Sequence, residues 1–229
     1  MNKLLIVFLS LFCADAAQAC SMAFPAYGIY SGGTLVIREY TEMGFVILLC
    51  SAVLVKSVAF SYFSKSRETK FFMAMLAGNV LTTLIGYVME FSHVMSFAIV
   101  SWLLMWPVFY YAIRFLRAAE VLAAPSKRKT HVLAILFSLA YLLAWFMGIL
   151  ASTQDGLLRW VFIYTYVCIA LSLTLLVTTS YEYKVISLIT KAPGKQTYQP
   201  VLKANLVIYF SIFASLTVML IQMHRYPLR

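Results

Sequence analysis

The stretch Trp160–Ser180, WVFIYTYVCIALSLTLLVTTS, contains no charged residue and decides the fold. It is too long and too uniformly apolar for one face of a soluble helix. It matches the ~20 residues that cross a bilayer as an α-helix. Five more apolar runs near spanning length lie along the chain, two of them carrying a single charged residue. Together they predict membrane helices at about 43–63, 71–91, 95–113, 132–152, 160–180 and 204–223. Backbone groups in hydrocarbon must be hydrogen-bonded within the protein, so helices are the expected form. The fold class predicted is all-α: a six-helix transmembrane bundle over 43–223.

Composition agrees. Of 229 residues, 63% are hydrophobic and 11% charged. A soluble domain carries roughly 25% charged residues. The net charge of +10 does not mark a nucleic-acid binder. Such proteins gather Lys and Arg on a folded polar surface, and here most lie in short gaps between apolar runs. The lipid bilayer is the expected partner, and no nucleic acid is expected.

Those gaps orient the chain. Segment 64–70 has three basic residues, 114–131 has five and 181–203 has four, twelve in all. The opposite side has only Arg38, Arg159, Arg225 and Arg229. Basic loops stay in the cytoplasm, so both mature termini are expected outside. The segment 181–203, with Ala192-Pro193-Gly194-Lys195 as its turn signal, is read as an inner loop. Arg114 to Ala124 is read as a possible inward continuation of the third helix.

The amino terminus is read as a signal peptide over 1–19. Lys3 precedes the apolar run Leu4–Cys13, and Ala17-Gln18-Ala19 has the A-x-A form of a cleavage site. Cys20 then opens an exported segment, 20–42, and 224–229 forms an exported tail. Cys20 is a candidate for lipidation or an intermolecular thiol bond. An uncleaved anchor is the other reading of this end. A compact helical bundle behind such a signal is expected in a bacterial inner membrane.

Ionisable groups inside spans are costly and face protein or water. Lys56 lies within the first run and Glu90 near the outer end of the second. At 100° per residue, Thr83, Gly86, Glu90 and His93 all return to within about 40° of Asn79. The six residues Lys56, Asn79, Thr83, Gly86, Glu90 and His93 are the candidate polar path or packing stripe. By depth, Lys56 is expected to bond Asn79 or to extend toward the inner surface. Cys50 and Cys168, inside the first and fifth runs, are read as packing residues.

Signatures of zinc proteases, P-loop enzymes, serine hydrolases and Rossmann domains are missing from the sequence. No catalytic residue, metal or cofactor is therefore assigned. The function expected is that of a non-catalytic subunit of a larger membrane assembly for secretion, conjugation or transport. Its partners would be other membrane subunits or copies of itself. The alternatives are a small transporter or channel using the helix-2 stripe, and a membrane enzyme or redox protein.

Overall fold

The structure is a computed structural model that describes residues 42–65, 68–94, 98–121, 126–153, 156–192 and 194–225. The segment 1–19 read as a signal peptide, Cys20 and the part of the 224–229 tail beyond Arg225 lie outside the described residues. All the described secondary structure is helical. Six helices follow in order: α1 (Glu42–Ser64), α2 (Thr69–Val94), α3 (Ala98–Ala118), α4 (Lys127–Thr153), α5 (Gly156–Thr190) and α6 (Gly194–Arg225). Among the described residues, α5 is long and apolar enough to cross a membrane.

α5 is the central element. It packs against α2, α3, α4 and α6, while α1 closes the bundle against α6 and α2. At 35 residues it extends about 52 Å, well beyond the ~30 Å of a hydrocarbon core. The segment read as an inner loop at 181–203 is therefore mostly helix. α5 continues through Thr190, and α6 begins at Gly194. The physical reason lies in its spacing. Beyond Ser180, apolar residues recur at Val185, Ile186, Leu188 and Ile189, a helical rather than a loop pattern.

The buried interior has two apolar parts. One holds Met105, Phe109, Tyr141, Val167, Val177 and Ile208, among others. The second holds Phe60, Met75, Leu116, Tyr183, Ile186 and Val201. On α5 the first part ends at Val177 and the second starts at Tyr183. On α6 the second part ends at Ala204 and the first starts at Ile208. Between them every helix of the α1–α2–α5–α6 group carries buried polar residues, including Lys56, Asn79, Thr82, Glu182 and Asn205. A polar layer thus separates two apolar cores.

The C-terminal ends of α1, α3 and α5 close with residues in the left-handed region: Lys65 (φ 54°), Glu120 (φ 58°) and Lys191 (φ 55°). At α3 the Val121 N–H donates to Leu116 O at 3.2 Å and the Glu120 N–H to Arg117 O at 3.0 Å. That is a Schellman cap, which satisfies carbonyls the helix leaves unpaired. The Tyr183 hydroxyl donates to Ala118 O at 3.2 Å and ties α5 to the same helix end.

Candidate functional site

The polar layer centres on Glu182, which is fully buried on α5 eight positions before its end at Thr190. Lys56, 2% exposed on α1, forms an ion pair with Glu182 Oε1. Thr82 Oγ1 on α2 lies 3.2 Å from the same oxygen. Asn205 Nδ2 on α6 donates to Glu182 Oε2 at 2.8 Å. One carboxylate thereby joins four helices.

Each partner is fixed by its own helix. Asn205 Nδ2 also donates to Val201 O at 3.1 Å, which uses both amide hydrogens. Turning that amide over would set its oxygen against a carboxylate and a carbonyl, so the network itself selects the orientation. Thr82 Oγ1 lies 3.1 Å from both Gly78 O and Asn79 O. Its single proton serves one acceptor at a time, so Thr82 either holds Glu182 or falls back on its own helix. Asn79 Nδ2 donates to Met75 O at 2.8 Å, one turn back.

Gly78 lets α2 approach. A β-carbon there would lie 3.2 Å from both Cα and Cγ of Glu182. A side chain at 78 would separate α2 from the segment of α5 that presents the carboxylate. Next to the ion pair, Ser57 Oγ, Thr179 Oγ1 and Asn205 Oδ1 are buried oxygens with no hydrogen-bond partner among the described residues. Thr178 Oγ1 pairs with the Tyr209 hydroxyl at 3.0 Å, extending the layer between α5 and α6.

The sequence stripe meets this site only in part. Lys56 and Asn79 are both buried in the layer. Lys56, however, is paired with Glu182 rather than Asn79. A carboxylate at full burial is the stronger partner, because it balances the ammonium charge as well as accepting a hydrogen bond from it. The side chains of Thr83, Gly86, Glu90 and His93 lie outside the described residues, although all four positions belong to α2. Cys168 is exposed rather than packed in the core.

Sequence reasoning missed Glu182, Thr82, Asn205 and Gly78. Closing the fifth run after about 20 residues puts Glu182 in a loop. Its helical spacing to Thr178, Thr179, Val185 and Ile186 was the available signal. Among the described residues, no three His, Cys, Asp or Glu side chains gather as a metal would require. The arrangement can tie helices together, or hold a small hydrogen-bonding species beside a balanced pair of charges. Comparison of the chain with protein families, with curated proteins and with solved structures returns no match.

Proposed function

We propose that the chain is a polytopic protein of a bacterial inner membrane, with six spans and both mature termini on the periplasmic side, and that it serves as a non-catalytic subunit of a larger membrane assembly. The twelve-to-four division of basic residues supports the orientation. Large apolar side chains on the outside of the helices, such as Phe210 and Leu157, support a lipid environment. The observation that carries the subunit reading is the closure of the polar layer. Lys56, Glu182, Thr82 and Asn205 use one another as partners and are at most 2% exposed. Charges spent this way fix how helices pack and offer no reacting group to a substrate.

The second reading is a small transporter or channel. The unpartnered oxygens of Ser57, Thr179 and Asn205 beside the ion pair favour it. They are acceptors positioned where water or a cation would find ligands once Lys56 and Glu182 separate.

Gentle extraction of the tagged chain from its native membrane, followed by native mass measurement, separates these readings. Stoichiometric foreign subunits are expected for the assembly component. A lone monomer or homo-oligomer would sink that reading. Flux measurements on Lys56→Met with Glu182→Gln would then test transport.

A further inference from the structure

On another face of the α5 segment that carries Glu182, α3 and α5 meet in an aromatic seam toward the end of the molecule where the basic segments gather. On α3 its wall is Tyr111, Arg114 and Phe115, spaced i, i+3, i+4 on one face. On α5 it is Tyr181 and Lys184, spaced i, i+3. The Phe115 and Tyr181 rings meet edge to face, with centroids 5.1 Å apart. Tyr111 stands 6.2 Å from Phe115. The Tyr181 hydroxyl donates to Val108 O at 3.2 Å, which fixes its ring against α3.

One cation borders these rings, and a second lies over Tyr110, whose ring stacks on His131 of α4. Lys184 Nζ lies 6.0 Å from the Phe115 centroid, and the Arg114 guanidinium lies 5.8 Å from the Tyr110 centroid. Neither is paired with a carboxylate among the described residues, where Glu182 is held by Lys56 and Glu68 by Lys70. The apolar side of the seam is open on α3, where Tyr111 is 47% exposed. Unpaired cations near an exposed ring suit a ligand that is anionic at one end and apolar at the other.

We infer that this seam binds the headgroup of an anionic phospholipid, its phosphate on Lys184 with Arg114 of α3 as a second cation, and its first acyl methylenes on Tyr111 and Phe115. The inference rests on the six-span orientation, which sets these residues at the cytoplasmic headgroup level. There anionic lipids attract basic residues, and aromatic rings settle at the same depth. The exposed apolar wall selects a lipid over free phosphate, which would gain nothing from it.

The test has two stages on the full chain. Alkaline carbonate washing of membranes comes first; release of the chain would overturn the membrane reading and the lipid site with it. Retained protein is then placed in nanodiscs of phosphatidylcholine with added phosphatidylglycerol, and bound lipid is counted by native mass spectrometry after release. Wild type is expected to keep phosphatidylglycerol over phosphatidylcholine, and Lys184→Glu to lose about fivefold of that preference. Lys184→Arg and the remote Lys70→Glu are expected to keep it. Four results would overturn the site while leaving the membrane reading intact: no lipid preference in wild type; equal loss in Lys184→Glu and Lys70→Glu; equal competition by glycerol phosphate alone; or an acidic protein held through Lys184 in place of lipid.

Discussion

Gly78 and Glu182 touch: a β-carbon on Gly78 would stand 3.2 Å from the Glu182 Cα, backbone against backbone. Backbone atoms of two packed helices yield less than the end of a flexible side chain. Gly78→Ala is therefore expected to push α2 away from α5 and lengthen the Thr82–Glu182 contact. Overpacking of this kind costs about 1–3 kcal/mol. The helix-propensity gain of Ala over Gly, about 1 kcal/mol, offsets only part of it. Unfolding of the reconstituted protein in graded SDS measures the difference, and a stabilised Gly78→Ala variant would contradict the close approach.

The ion pair makes a sharper prediction. Lys56→Met leaves the Glu182 carboxylate buried beside Thr82 and Asn205 without its cation. Breaking one side of a buried pair costs about 3–5 kcal/mol. Lys56→Met combined with Glu182→Gln removes both charges and keeps an acceptor and donor at 182. The double variant is expected to recover most of the lost stability. A double-mutant cycle by SDS unfolding checks this. Additive losses would mean that the two residues act independently.

Asn205 tests the other carboxylate oxygen. Asn205→Leu withdraws the 2.8 Å donor from Glu182 Oε2, at a cost of about 1.5–3 kcal/mol for a bond to a charged group. Asn205→Asp keeps the size but sets a second carboxylate against the first. With one ammonium for two carboxylates, it is expected to be less stable than Asn205→Leu at neutral pH. Lowering the pH should narrow the gap, since protonating the introduced carboxyl removes the repulsion. The comparison is made by unfolding both variants across a pH series.

How much of this was legible follows from two kinds of signal. Long apolar runs state their helical form directly, because hydrophobic length is a property of the sequence itself. A helix of the structure lies over each of the six runs, save for 95–97 of the third, which fall outside the described residues. Where a helix ends is a weaker signal. The α5 helix passes the twenty-residue mark and carries Glu182 with it. Lys56 was conspicuous as a charge in an apolar run, but its partner lies 126 positions away on another helix. No local spacing encodes such a pairing. Gly78 shows the same gap, since a glycine in a helix announces a close approach without naming the neighbour.

The helix caps offer a prediction that is independent of the polar layer. Lys191 holds φ 55° at the end of α5, with its N–H donating to Ser187 O at 3.0 Å. A left-handed conformation costs an L-residue with a β-carbon roughly 1–2 kcal/mol, and glycine adopts it freely. Lys191→Gly is expected to stabilise the protein by up to about 1 kcal/mol, and Lys191→Val to destabilise it by more than that. Thermal unfolding in a fixed detergent ranks the three proteins; Val at or above wild type would place the strain elsewhere.

Cys168 tests the lipid environment itself. It is exposed on α5, in the middle of the uncharged run Trp160–Ser180. In a six-span protein that face meets hydrocarbon, where a thiolate does not form and a charged reagent does not reach. With the other three cysteines replaced by Ser or Ala, intact membranes treated with a charged maleimide should leave Cys168 unlabelled. A lipophilic maleimide should react slowly, and SDS should open the thiol to both. The slow lipophilic reaction also separates lipid from tight protein packing, which would block both reagents alike. Rapid labelling by the charged reagent in sealed or opened membranes would mean that this face of α5 meets water, and the six-span reading would fail with it.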